Sequence, residues 1–420
     1  MRLYNVLTRS KEEFTAGEDG VTIYVCGITP YDTTHLGHAF TYASFDVLIR
    51  YLEYLGHAVT YVQNVTDIDD DILRKAREVE GDWKEVGNRW TAHFIRDMKA
   101  LNVRPPEYFP RATAVIEEII AVTEALLDAG YAYERNGNVY FHVDSWEDFG
   151  KLSQIPHDEM LPVANERGNH PDDPNKRDPL DFVLWQAQAP GEPAWASSWG
   201  MGRPGWHIEC STMATRFLGN TVDIHGGGAD LVFPHHECEI AQAEGATGQQ
   251  PFARFWMHTA MVRCEGEKMS KSLGNLIMVR DLLEEGWHPD ALRLYMHKHH
   301  YREPWEYHEA SLEQAAALAR LLRQAITARS GADNPLVTRG AVNSFTAAMD
   351  DDLDTPTALR IMEEFAEQIR RVAGRGRDVS QAQAALREMA AVFGLYLDAT
   401  EPEERVTTGW NEHLAKFTDP

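Results

Sequence analysis

Apolar positions along the chain follow two alternating periods. Residues 21–26 (VTIYVC) form a short apolar run rich in β-branched side chains, the pattern of a buried strand. A loop of turn formers follows, Gly27-Ile28-Thr29-Pro30-Tyr31-Asp32. Over residues 35–55 the period changes: Ala39, Tyr42, Phe45, Leu48, Ile49 and Leu52 recur at helical spacing, and Gly56 supplies a stop. Residues 59–63 read as a second strand. A strand–loop–helix–strand unit of this kind predicts a parallel sheet, with the ligand site at the carboxyl ends of the strands, where Cys26 and the loop after it fall.

Helical periodicity continues over 70–78, 83–101 and 112–129, and residues 138–143 (NVYFHV) read as a strand. Residues 144–204 are dense in Pro, Gly, Asp and Trp and predict an irregular insertion. The α/β pattern resumes at 205. Beyond 305 the chain is rich in Ala, Leu, Glu and Arg at helical period. The expected architecture is α/β: a Rossmann-type parallel-sheet catalytic domain in two halves (1–143 and 205–304) around the 144–204 insertion. A helical bundle of three or four helices (305–398) and a polar tail (399–420) follow.

Length and composition agree with this. The chain has 420 residues, 43% hydrophobic and 25% charged, enough for two or three domains. Against 65 Asp+Glu stand 40 Lys+Arg, a formal net charge of -25, which argues against indiscriminate binding to nucleic acid. Four widely spaced cysteines, Cys26, Cys210, Cys238 and Cys264, do not make a disulfide scaffold. The first ten residues lack a secretory apolar core, and no run of about 18 apolar residues occurs. These features predict a cytoplasmic enzyme with no membrane association.

Three constellations carry candidate chemistry. His35-Leu36-Gly37-His38 opens the first long helix and sets two imidazoles three residues apart on one face. A helix N-terminus offers free N–H groups and positive potential to phosphate, and Gly37 leaves room for a flat base or sugar. Lys268-Met269-Ser270-Lys271-Ser272, before Leu273-Gly274-Asn275, has two lysines placed to neutralise a departing pyrophosphate. The third is dispersed: Cys26, Cys210 in the stretch GWHIEC, and His235 with Glu239, four apart on one predicted helix face. Two thiolates, an imidazole and a carboxylate form a credible zinc shell. Spacing alone also admits Cys238, three residues from His235.

Taken together, the first two constellations match the paired signatures of class I aminoacyl-tRNA synthetases. The longer stretches YVCGITPYDTTHLGHA, NVTDIDDDIL, KRDPLDFVLW, GRPGWHIECS, DIHGGGADLVFPHHECEIAQAE and EKMSKSLGN resemble cysteinyl-tRNA synthetase and its relative, the mycothiol cysteine ligase. The likeness covers residues 1–398. It implies one zinc ion per chain on Cys26, Cys210, His235 and Glu239, with Glu239 rather than Cys238 as fourth ligand. It further implies that Thr29, Thr66 and Trp206 line a cysteine pocket and that Gly37, His38, Gly227, Asp230, Lys268 and Lys271 contact ATP, supplied with Mg²⁺. The catalytic set would be His35, His38, Lys268 and Lys271, forming cysteinyl-adenylate.

The resemblance leaves two acceptors. Glu239, Phe149-Gly150-Lys151-Leu152-Ser153 and the 176–185 stretch are similar to the tRNA enzymes and favour tRNA-Cys. The loop 27–32, Phe40-Thr41-Tyr42, residues 166–171 and the apparent lack of an anticodon module after residue 398 favour the amine of an amino sugar. The reading taken is tRNA, by a monomeric enzyme. A non-catalytic paralogue is disfavoured because His35, His38, Lys268 and Lys271 are all present.

Overall fold

The computed structural model of the chain describes residues 1–32, 34–269, 274–397 and 403–418. Its central sheet has four parallel strands: β1 (Val21–Ile28), β2 (Val59–Val65), β3 (Val222–Gly228) and β4 (Ala253–Thr259), in spatial order β4-β3-β1-β2. Ile23 of β1 pairs with Tyr61 of β2 on one side and Ile224 of β3 on the other. Successive side chains of a strand point to opposite faces. Accordingly Ile23 and Val25 join one apolar core, while Tyr24 and Cys26 join the other. Both faces are covered, which explains the nearly unbroken apolar run of β1.

The first core lies against α1 (Leu36–Tyr54) and continues into the bundle. On the opposite face lie α3 (Trp206–Leu218) and α4 (Glu237–Thr247). Between β2 and the insertion runs α2 (Trp83–Ala100), capped by Asp82, whose carboxylate accepts from the backbone N–H of Lys84 and Glu85. After β4, the short α5 (Val279–Glu284) and α6 (Pro289–His297) lead to four bundle helices: α7 (Glu309–Ile326), α8 (Arg339–Asp350), α9 (Thr355–Ala373) and α10 (Ser380–Val392).

Two regions differ from the sequence reading. The segment 144–204 is only partly irregular. Its strands at Phe182–Ala187, Trp195–Ser197 and Gly200–Pro204 complete a five-stranded antiparallel sheet begun by Ala132–Arg135 and Asn138–Phe141. Strands of three to six residues between Gly and Pro are too short to display a period of two. The polar tail contains a helix, α11 (Glu404–Thr418). Val406, Trp410 and Phe417 recur at helical spacing and are buried. The Trp410 ring packs edge-on against Phe94 and Phe109, and its indole N–H donates to the Val103 carbonyl at 2.7 Å.

The catalytic half and the bundle are joined by buried charge. Asp46 on α1, Arg50 one turn later and Arg293 on α6 have side chains 1%, 2% and 0% exposed. Asp46 accepts from Arg50 at 2.9 Å, from Arg293, and from the Arg104 backbone N–H at 2.8 Å. Arg293 also donates to the carbonyls of Phe393, just past α10, and of Leu101, just past α2. Burial pushes the Asp46 carboxyl up, but Arg50 and Arg293 outweigh it and hold the group ionised. Removing the charge from one member of a buried group strands the others. Asp46→Asn is therefore expected to lower stability by about 3–5 kcal/mol in urea unfolding; a loss below about 1 kcal/mol would contradict this account of the junction.

Candidate functional site

The carboxyl ends of β1, β2 and β3 converge, and the candidate residues gather there. Cys26 lies two residues before the end of β1, on the α3/α4 face. The strands approach closely: the Gly27 N–H donates to the Asn64 side-chain carbonyl at 2.8 Å, and a Cβ at Gly27 would lie 1.6 Å from the Asn64 backbone oxygen. Asn64 in turn donates to the Thr66 hydroxyl at 3.2 Å. Thr66 is thereby held at the end of β2, 2% exposed. Trp206 opens α3, and Cys210 follows one turn later on the same helix.

The ligand atoms of Cys26, Cys210, His235 and Glu239 all lie within 4.8 Å of one another, and all four residues are buried. Glu239 accepts from the Cys26 thiol at 3.3 Å and lies 3.0 Å from His235 Nε2. The Trp206 ring stacks on His235 at 4.2 Å. Thr66, Trp206 and the four converging donor side chains thus share one end of the sheet, while Thr29 sits half-buried in the loop after β1. Cys238 is buried but belongs to neither group of converging donors found among the described residues, so the geometry places Glu239 in the cluster and leaves Cys238 out.

The electrostatics suit a cation. Burial raises the Cys210 thiol, but hydrogen bonding from Cys26 and the charge of His235 outweigh it and bring the group to about 6. Burial and the Cys210 partner push Cys26 well up. Burial likewise acts against ionised Glu239, yet His225 and His235 hold it well below the usual carboxylate range. Burial opposes protonated His235, while Glu239 and Cys210 raise it to about 10. Buried anions are being balanced by imidazolium, and a divalent cation on the same four donors would do this directly. The donor set, two sulfurs with one nitrogen and one carboxylate oxygen, fits zinc.

Sequence reasoning missed a shell of histidines around this cluster. His207 Nδ1 lies 2.8 Å from His235 Nδ1, and His236 Nδ1 lies 2.7 Å from His258 Nε2. Cys26, His225, His236 and Glu239 form a second, overlapping group of donors. The available signal was positional: His258 stands next to last in its parallel strand and His225 in the middle of the neighbouring one.

The nucleotide-binding candidates border the same end. His35 caps α1, its Nδ1 accepting from the N–H of Gly37 at 3.1 Å and His38 at 3.3 Å, and its ring stacks on that of His38 at 3.8 Å. A Cβ at Gly37 would meet the His35 ring at 2.9 Å, which explains the glycine. At the end of β3, a Cβ at Gly227 would approach Leu231 to 2.8 Å. Asp230 follows in a tight turn gripped by Arg167 of the insertion, which donates to the carbonyls of Asp230 and Phe233. Lys268 lies in a short strand paired with Arg263, and Lys271 falls outside the described residues. The chain returns from there to the first signature, with Leu36 N–H donating to Ile277 at 2.7 Å and Val279 N–H to Thr34 at 3.2 Å.

Comparison with known proteins adds an independent finding. Residues 13–317 match the family described as the tRNA synthetases class I (C) catalytic domain, and residues 344–398 match the DALR domain. A cysteine--tRNA ligase of Dehalococcoides mccartyi is 43% identical over 410 residues, covering 96% of this chain and 88% of the relative. One of Alkalilimnicola ehrlichii is 46% identical over 406 residues, covering 96% and 87%. Among solved structures, a Mycobacterium tuberculosis methionyl-tRNA synthetase in complex with methionyl-adenylate shares the fold with a TM-score of 0.62 at 15% identity, covering 94% of this chain and 92% of that one.

The cluster predicts a metal stoichiometry. Metal analysis of the purified chain should find about one equivalent of transition metal, largely lost in Cys210→Ser and retained in Cys238→Ser. Equal loss in both variants would remove the basis for choosing these four ligands.

Proposed function

The chain belongs to the cysteine–tRNA ligases of the class I synthetase family, and on that premise we propose that it activates L-cysteine with ATP and transfers it to tRNA, using a zinc-binding cluster to select the thiol. The carrying observation is the coincidence of near-full-length identity to cysteine–tRNA ligases with four convergent buried donors at the strand ends.

In the first step a cysteine carboxylate oxygen attacks the α-phosphorus of ATP. The bond to the bridging oxygen breaks and pyrophosphate leaves. In the second a terminal ribose hydroxyl of tRNA attacks the activated carbonyl and AMP leaves. No protein nucleophile is needed, so the chain contributes position and charge. His35 and His38 lie where the transferring phosphate would bind, at the N-terminus of α1. Lys268 and Lys271 are assigned to the departing pyrophosphate. Asp230 and Gly227, at the end of β3, are assigned to adenosine, and ATP arrives with Mg²⁺.

Selection of the amino acid is the harder problem, because cysteine and serine differ by one atom and pocket shape alone separates such pairs poorly. Zinc held by Cys26, Cys210, His235 and Glu239 would supply a soft Lewis-acid site that prefers a thiolate to a hydroxyl. Trp206, stacked on His235, and Thr66, fixed by Asn64, would hold the rest of the amino acid against it. Selectivity of this kind acts at binding and needs no editing site.

The relatives named above are tRNA ligases, which supports tRNA over an amino sugar as acceptor, and the intact His35–His38 signature supports an enzyme over a non-catalytic paralogue. No helix among the described residues is long and apolar enough to cross a membrane. We read the enzyme as a cytoplasmic monomer.

The test is cysteine-dependent exchange of pyrophosphate into ATP, followed by tRNA with labelled cysteine. Exchange with cysteine but not serine, and label in tRNA released by mild base, is the expected result. Label in a base-stable amide, or exchange equally supported by serine, would overturn the proposal.

A further inference from the structure

A chain of net charge -25 that must seat a polyanion needs a local surface where the field reverses. We propose that the outer face of α2, with Arg280 of α5 beside it, is the landing surface for the phosphates at the acceptor end of the tRNA; this rests on tRNA being the acceptor.

Arg89, His93 and Arg96 stand at i, i+4 and i+7 on α2 and so share one face. Arg89 and Arg96 are exposed, and among the described residues neither forms an ion pair. The acids of α2 are Glu85, a turn before Arg89, and Asp97, which is buried. The Arg89 guanidinium lies 5.2 Å over the Trp90 ring, and that ring lies 5.2 Å from His93. Arg280, 38% exposed, is approached by Asp281 and Glu284 at 3.9 and 3.7 Å. Burial first, then Arg96, Arg280 and Arg89, hold the His93 imidazole below its ordinary value, while the buried Asp97 carboxyl faces Arg280 and Arg96 from within the helix.

The location matches the task. Gly87, on the side of α2 opposite Arg89 and Arg96, faces Pro30, since a Cβ there would lie 3.9 Å from the proline ring, and the buried Asp97 carboxyl of α2 is held by Thr34 of the same loop and by the charges of Arg280 and Arg96. One residue before Arg280, the Val279 N–H bonds the Thr34 carbonyl. The loop that leads from Cys26 to His35 therefore runs along one side of α2, with Arg280 and Arg96 near its Thr34 end and the arginine face turned to the outside. Cations interleaved with aromatics, beside the reaction centre, suit a strand end whose backbone must be held while its last nucleotide enters the site.

The experiment uses the full chain with Arg89→Glu/Arg96→Glu and Arg89→Lys/Arg96→Lys. The charge-reversed enzyme is expected to keep cysteine-dependent pyrophosphate exchange within twofold of wild type while its KM for tRNA rises at least tenfold. Its dependence of log KM on log salt should flatten by about 1–2 units, as for two lost phosphate contacts. The lysine variant should retain tRNA KM within about threefold, because charge rather than bidentate geometry is required. Unchanged tRNA KM and salt slope in the charge-reversed enzyme would overturn the proposal and leave the assigned activity standing. A wild-type enzyme that catalyses exchange but charges no tRNA would instead remove the reading on which the proposal rests.

Discussion

A parallel sheet delivers the carboxyl ends of all its strands to one edge, and in this chain that edge is drawn tight by glycine. At Gly27 no side chain fits between β1 and β2, and at Gly226 a Cβ would lie 2.2 Å from the Phe45 ring and 2.5 Å from the Met257 carbonyl. The close spacing brings Cys26, Thr66 and the Gly226–Gly228 end of β3 together. It also lets α3 and α4 pack over the same end with Cys210 and Glu239 directed into it. The strand period then decides the division of labour. Cys26 faces the α3/α4 side, whereas its neighbour Val25 enters the core beneath α1.

Buried charge is handled the same way in two places. At the junction with the bundle, Asp46 is matched by Arg50 and Arg293 and by the Arg104 backbone N–H. At the strand ends, Cys210 and Glu239 are matched by His235 and His225. The difference is the partner. Guanidinium groups carry a permanent charge, so the junction is fixed. The His235 imidazole can give up its proton, so the second cluster can exchange it for a metal. One site holds the architecture, and the other is open to chemistry.

Much of this was legible in the sequence because its signals are local. The run at 21–26, the helix from His35 and the spacing of His235 and Glu239 each follow from short-range rules. What stayed hidden depends on contacts distant in the chain. The histidines at 207, 225, 236 and 258 look unrelated until the sheet assembles, when they enclose one cluster. The insertion's sheet was obscured by strands too short to show a period, and α11 by its polar average, since Val406, Trp410 and Phe417 are its buried anchor. Spacing could not choose between Cys238 and Glu239; the assembled cluster, which takes in Glu239 and not Cys238, does.

The central claim is that the substrate sulfur binds a metal held by Cys26, Cys210, His235 and Glu239. X-ray absorption at the zinc edge tests it most directly, since zinc–sulfur distances near about 2.3 Å are distinct from those to nitrogen and oxygen. The account predicts about two sulfur neighbours in the free enzyme and about three after addition of L-cysteine, with no change on L-serine. A sulfur count that stays the same when cysteine binds would contradict it.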